Sequence, residues 1–227
     1  MQVTNFNRVP PMSIAANPAL EFLDEQLPFA VRRQVPGALR RAYHLVDDLV
    51  RQTAWLRSPS ARFQRGDLIV LAVESEFEKL ARSGALPFEP TYEEYAAPTG
   101  KHLVLRNDAA CVTINQIPDR KKPRKAVFRN ALGTPNQAFL FDEWNEEIRK
   151  RAGAKHALLL HGYQDLNFAL FGIPDPSKNR LIEWTDNLLK IPHPMAEAVE
   201  EGPRESPDPE SMEAIIRLVT DNDGFDG

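Results

Sequence analysis

The sequence predicts an α+β protein: N-terminal helices, then a mostly antiparallel sheet with one inserted helix, then a flexible acidic C-terminal tail. Apolar residues recur at three- and four-residue steps in the first third of the chain, which is typical of amphipathic helices. Short β-rich runs separated by turn residues follow residue 100. Adjacent strands with a single intervening helix favour an antiparallel α+β sheet over a doubly wound parallel one.

The length and composition are those of a globular protein. The chain has 227 residues, of which 42% are hydrophobic and 26% charged, so a sizeable core is expected. We expect an extended arm over residues 1–17 and a single domain over residues 18–191, helical in residues 18–84 and sheet-containing in residues 100–191. The single cysteine, Cys111, excludes an intrachain disulfide and a cysteine-rich zinc site, and its apolar neighbours predict a core residue.

The sequence predicts neither a membrane segment nor a secreted protein. No apolar run approaches the roughly 20 residues that span a bilayer. The first residues lack the basic and apolar segments of a signal peptide. We therefore expect a soluble, cytoplasmic protein with no membrane partner.

The first predicted helices follow the apolar periodicity. Residues 18–27 have Asn17 as N-cap and proline at the first helical position. A connector with a proline at each end, residues 28–36, precedes an amphipathic helix over residues 39–53. On its charged face, Asp47 and Arg51 are spaced to pair.

A further helix is predicted over residues 68–80. Asp67 is its expected cap, and Gly84 follows its end, where left-handed geometry favours glycine. Glu74 and Glu78 share a face that we expect to be solvated, with Glu78 paired to Arg82. Residues 87–98 are predicted to form a loop.

The second part of the chain changes to strands. Residues 102–106 and 111–117 predict a hairpin that turns at Asn107 and Asp108. Residues 125–129 predict a third strand, and residues 141–151 predict the inserted helix.

A second hairpin is predicted from residues 156–161 and 167–173. After it, Asp175 is expected to open a last helix. The apolar positions of that helix are Leu181, Ile182, Trp184, Leu188 and Leu189.

Charge divides the chain into two parts. Residues 193–227 hold ten acidic and two basic side chains, while the whole chain has a net charge of −4, so the preceding part is mildly basic. Residues 192–208 are proline-rich and acidic, which predicts a flexible linker. Residues 209–220 predict a short helix that docks on its own body, on a protein partner or on a second copy, with simple disorder as the alternative. Its apolar stripe consists of Met212, Ile215, Ile216 and Val219.

Basic residues concentrate in one short loop after the first hairpin. They favour contact with a polyanion such as nucleic acid, or with an acidic protein surface. The alternative is a solubilising loop that blocks edge pairing. The residues are Arg120, Lys121, Lys122, Arg124 and Lys125, with Arg129 close behind.

The best catalytic candidates are His161, Tyr163 and Asp165, at the turn of the second hairpin. The alternative is a hydrogen-bonded structural turn. His156 and His161 point to opposite faces of one strand, so they do not share a metal. The sequence contains no Walker, G-x-G-x-x-G, G-x-S-x-G or HExxH motif, and we predict no metal and no cofactor.

These patterns favour a binding protein in which the basic loop contacts a polyanion or an acidic surface and the tail helix docks on a partner. One alternative is a small enzyme acting on nucleic acid or nucleotides, such as a nuclease or a toxin of a mobile element. Another is a structural or assembly protein, which exposed apolar residues on the helix over residues 39–53 would favour.

Overall fold

A computed structural model describes residues 17–94, 100–120, 122–123, 127–139 and 153–192. All of them belong to the unit Met1–His193. The predicted arm, inserted helix, acidic linker and tail helix, including Met212, Ile215, Ile216 and Val219, lie outside the described residues.

Four helices form the N-terminal part: α1 (Pro18–Gln26), α2 (Phe29–Arg32), α3 (Val35–Gln52) and α4 (Arg65–Arg82). The start of α1 confirms the predicted cap, because the side chain of Asn17 accepts hydrogen bonds from the N–H groups of Ala19 and Leu20. The predicted connector over residues 28–36 instead contains α2 and the first turn of α3, where a proline is tolerated.

The ion pairs on α3 differ from the prediction. Arg51 binds Asp48, one turn back, and not Asp47. Asp47 binds Arg65 at the start of α4, with 2.6 Å between Arg65 Nη2 and Asp47 Oδ1. A contact between two helices therefore replaces the predicted pair within one helix.

Helix α4 confirms one predicted ion pair and corrects two other expectations. Glu78 binds Arg82 at 2.7 Å. The N-cap is Gln64 and not Asp67. Glu74 is buried and not solvated, because its Oε1 accepts the backbone N–H of Leu103 at 3.0 Å. Burial raises the pKa of Glu74.

Six strands follow one another in a single sheet: β1 (Glu89–Glu94), β2 (Lys101–Arg106), β3 (Ala110–Ile117), β4 (Lys155–Gly162), β5 (Ala169–Pro174) and β6 (Leu181–Trp184). All neighbours are antiparallel except β3 and β4, which are parallel. The fold is α+β with a mostly antiparallel sheet, and both predicted hairpins are confirmed.

Three element predictions are wrong. β1 occupies the predicted loop, since an edge strand tolerates its polar residues. Where the structure describes the strand predicted over residues 125–129, it has the helix α5 (Val127–Gly133) instead. The apolar run is too short for its periodicity to distinguish a strand from a helix. Asp175 opens a turn rather than a helix. Its carboxylate accepts the N–H groups of Ser177 and Lys178, and β6 follows.

The core lies mainly between the helices and one face of the sheet. In β4, Ala157 and Leu159 join this core, whereas Leu158 and Leu160 join a smaller cluster on the other face. The alternation confirms that His156 and His161 point to opposite faces. Cys111 is buried, as predicted, and burial raises the pKa of its thiol to about 11.

Candidate functional site

The parallel pair β3 and β4 brings two predicted functional segments to one edge of the sheet. Gln116 lies beside His161 and Ile117 beside Gly162, so both strands end at the same level. The basic loop leaves β3 at this edge, and the turn of residues 163–165 leaves β4 there. We call this place the carboxyl edge.

The described part of the basic loop is open to solvent. Arg120 and Lys122 are both exposed, and neither forms an ion pair with another described residue. Arg129 lies in α5. The other predicted members, Lys121, Arg124 and Lys125, fall outside the described residues.

Under the carboxyl edge, His161 is enclosed by protein. Tyr43 Oη lies 2.5 Å from the carbonyl oxygen of Gly162 and 2.9 Å from His161 Nδ1. Because the carbonyl only accepts, the single hydroxyl proton of Tyr43 points to it, and the tyrosine oxygen accepts a hydrogen bond from the N–H group of His161 Nδ1. The network thus assigns the Nδ1-protonated tautomer, with Nε2 as a buried acceptor that has no hydrogen-bond partner among the described residues.

Burial determines the protonation of this pair. It lowers the pKa of His161 to about 4 and raises that of Tyr43 to about 12. The side chain of Gln116 and the charge of Arg65 oppose the rise at Tyr43. At neutral pH His161 is therefore an uncharged imidazole that holds the end of β4 against α3.

The stability of the protein should depend on pH through His161. Its folded pKa of about 4 lies below the unfolded value of about 6.5, so the unfolded state binds more protons between these values. Stability is full above about pH 6.5 and falls as the pH drops towards 4, by roughly 2.5 kcal/mol between pH 7.5 and 4.5.

The measurement is the free energy of urea unfolding against pH for the natural protein and for His161→Gln. The glutamine variant should be less stable at pH 7.5 but should lose less stability on acidification. Parallel curves for the two proteins would contradict the assigned role of His161.

The start of α4 completes the carboxyl edge. Arg65 binds Asp47 and donates to the carbonyl oxygen of Gln164, whose φ of 62° is unusual for a residue other than glycine. A Cβ at Gly66 would lie 3.3 Å from Gln116 Oε1 and 3.5 Å from Tyr163 Cε2. Helix α4 thus packs directly on the ends of both parallel strands.

The three catalytic candidates have different environments. His161 is fully buried, whereas Tyr163 is 39% exposed and Asp165 is also exposed. The described residues contain no group of three His, Cys, Asp or Glu side chains that could hold a metal ion. Among the helices that the structure describes, none has the length and apolarity to cross a membrane.

Sequence reasoning missed Tyr43, Arg65 and Gln116. Tyr43 fits the apolar stripe of α3, and nothing local marks its hydroxyl as a partner of β4. Gln116 did have a sequence signal: it is a polar residue at the end of an apolar strand, where an apolar residue is usual. Comparisons with protein families, with curated proteins and with solved structures found no match.

Proposed function

We propose that the chain is a polyanion-binding protein and that its ligand is a nucleic acid bound at the carboxyl edge. The observation that supports this proposal is the position of the two described cations of the basic loop. Arg120 and Lys122 are exposed directly after β3, beside the open turn that follows β4. Cations gathered at one site attract phosphate groups and release their counterions.

The local charge balance favours anions. Asp47 is paired with Arg65 and Asp48 with Arg51, so these carboxylates are already neutralised. Asp119 and Asp165 are the acidic residues of the loop and of the turn, and the basic run from residue 120 to 125 outnumbers them. By sequence the loop and the turn carry five basic and two acidic residues, and Asp67 in the first turn of α4 adds one negative charge nearby, so we expect a net positive field here although the whole chain is acidic.

The acidic tail has a regulatory place in this proposal. Its charge is opposite to that of the basic loop, so it competes with a polyanion wherever the two meet. Docking of the helix over residues 209–220 on a partner or on the body is a prediction from the sequence alone, since those residues lie outside the described part.

Binding should be strong at low salt and weak at high salt. Labelled single-stranded and duplex DNA should bind at about 50 mM salt and dissociate by about 200 mM, because released counterions oppose binding. Arg120→Glu/Lys122→Glu should reduce the slope of log affinity against log salt by about two, one for each lost phosphate contact. Fluorescence anisotropy measures both effects.

The control variant places the same charge change at the opposite end of the sheet. Arg33 and Lys178 are exposed. Arg33 precedes α3, which runs towards the carboxyl edge, and Lys178 follows β5, which runs away from it. Arg33→Glu/Lys178→Glu should leave the slope unchanged. No binding at low salt, with or without residues 193–227, would exclude the proposed function.

One observation favours assembly as a second candidate function. Leu45 and Leu49 of α3 are 55% and 42% exposed and lie one turn apart on the same side of the helix. Exposed apolar residues in such a row are typical of contacts between chains. Light scattering on the samples prepared for the binding experiment measures the oligomeric state.

A further inference from the structure

The connector between α3 and α4, residues 53–64, combines aromatic and basic side chains. No acidic residue occurs from residue 49 to residue 66. Within the connector lie Trp55, Arg57, Arg62 and Phe63. Aromatic rings next to basic side chains are the combination with which proteins bind single-stranded nucleic acid.

The structure places these four side chains in solvent. Trp55 is 71% exposed and Phe63 is 81% exposed, the two largest values among the exposed apolar side chains of the described residues. Arg57 and Arg62 are also exposed, and neither takes part in an ion pair within the part of the chain that the structure describes.

The connector is held in place although its rings are exposed. Leu56, between Trp55 and Arg57, is 5% exposed. Two short 3₁₀ helices, Ala54–Arg57 and Ala61–Phe63, shape the backbone. The N–H of Ala61 donates to the side chain of Ser58. A defined backbone lowers the entropy lost when exposed rings bind a ligand.

The connector leads to the carboxyl edge. Tyr43 contacts Gly162 at the end of β4, and α3 continues for nine residues past Tyr43, about 14 Å at the helical rise. The chain then returns through the connector to Gly66, which packs against Gln116 at the end of β3. The connector therefore ends at the carboxyl edge, where Gly66 faces Gln116 and Tyr163 and Arg65 donates to the carbonyl of Gln164.

We infer that the connector is a base-stacking platform and that the ligand of the carboxyl edge is single-stranded nucleic acid. Unpaired bases stack on Trp55 and Phe63, and their phosphates lie against Arg57 and Arg62. Stacking needs bases that are free of a duplex, whereas backbone contacts do not. The inference rests on the proposed polyanion binding and specifies its substrate class.

The test compares ligands that share phosphates but differ in accessible bases. The probes are a labelled thymidine oligonucleotide of about 20 nucleotides, a duplex of the same length and inorganic polyphosphate. The full chain should bind the single strand more tightly than the duplex. Trp55→Ala/Phe63→Ala should weaken single-strand binding by about tenfold or more for each ring and leave polyphosphate binding unchanged.

Two sets of variants control for general effects. Trp55→Phe/Phe63→Tyr keeps both rings and should retain most of the affinity for the single strand. Phe29→Ala removes another largely exposed ring, which lies before α3 and is 63% exposed, and should change nothing. Circular dichroism verifies that each variant is folded, which the exposure of the replaced side chains leads us to expect.

The outcomes separate the two proposals. Equal affinities of the natural protein and Trp55→Ala/Phe63→Ala for the single strand would overturn the stacking platform and leave polyanion binding intact. No binding of any of the three probes would exclude both. Binding of the rings to anionic lipid vesicles, in preference to the oligonucleotide, would also overturn the inference, because Trp and Arg side chains favour membrane interfaces as well.

Discussion

Replacing Gly162 with alanine should lower the free energy of unfolding by about 3 kcal/mol or more, the upper end of the cost of overpacking. A Cβ at this position would overlap the carbonyl oxygen of Asp165 and Oδ1 of Asn167. The N–H of Gly162 donates to the carbonyl of Phe168 at 3.2 Å, and that of Asn167 to the carbonyl of Asp165 at 3.0 Å. These two hydrogen bonds hold the turn against Gly162, so an added methyl group has to displace the carbonyl of Asp165.

The same turn holds the carboxyl edge together, which enlarges the expected effect. The carbonyl of Gly162 accepts the hydroxyl proton of Tyr43, and the carbonyl of Gln164 accepts from Arg65. If the turn moves to accommodate a methyl group, α3 loses a contact with the end of β4 and α4 loses its contact with the turn. Leaving a buried donor or acceptor without its hydrogen-bond partner lowers the free energy of unfolding by about 1–3 kcal/mol.

Gly84→Ala is the matched control for this substitution. Gly84 has a φ of 75°, and nothing lies within 4 Å of the place that an added methyl group would occupy, so only backbone strain of about 1 kcal/mol is expected. Urea unfolding of both variants measures the difference. An equal loss at the two sites would show that the overlap at Gly162 is relieved at little cost. Recovery of Gly162→Ala only as unfolded protein agrees with the prediction.

The fold was predictable where local chemistry and periodicity agree. Asn17 before Pro18 marks the start of α1, and Asn107 marks the first hairpin, where its side chain accepts the N–H groups of Ala109 and Ala110. Such caps and turns depend on residues close in sequence. Periodicity likewise predicted α3 and α4, with shifts of a few residues at their ends.

The wrong assignments share a physical cause. β1 is polar because it pairs on one side only, with β2, and an edge position cannot be read from local sequence. β6 has the apolar spacing of a helix, yet pairing with β5 decides its structure, as between Gly172 and Trp184. Parallel pairing of β3 with β4 joins residues about 45 positions apart, so the carboxyl edge itself was beyond prediction.

The candidate site was predicted in pieces. The basic loop and the turn at His161 were identified as separate segments, since no motif connects them. Their meeting depends on which strands are neighbours. The connector with Trp55 and Phe63 did have a sequence signal, the absence of acidic residues around two aromatic rings, but exposure of the rings required the structure.

Replacing Asn136 with alanine should be the other severe substitution, costing about 3 kcal/mol of unfolding free energy. Extending the register of β4 and β5 by two positions places Pro174 opposite His156. Proline has no N–H to donate at this point of the ladder. The side-chain amide of Asn136 takes the place of the missing partner. Its Nδ2 donates to the carbonyls of His156 and Pro174 at 2.8 and 3.1 Å. Its Oδ1 accepts the N–H of His156 at 2.9 Å.

The Asn136 side chain is fully buried, so its removal leaves three backbone groups without partners in the sheet. Gln137→Ala, at the exposed neighbouring position, should change stability by less than about 0.5 kcal/mol.

Asn136→Asp keeps an acceptor for the N–H of His156 but turns a carboxylate towards two carbonyl oxygens, so this variant should also be destabilised at neutral pH. Thermal and urea unfolding measure the stability of each variant. If Asn136→Ala is as stable as the natural protein, then water or a backbone shift replaces the amide, and the pairing of β4 with β5 does not depend on Asn136.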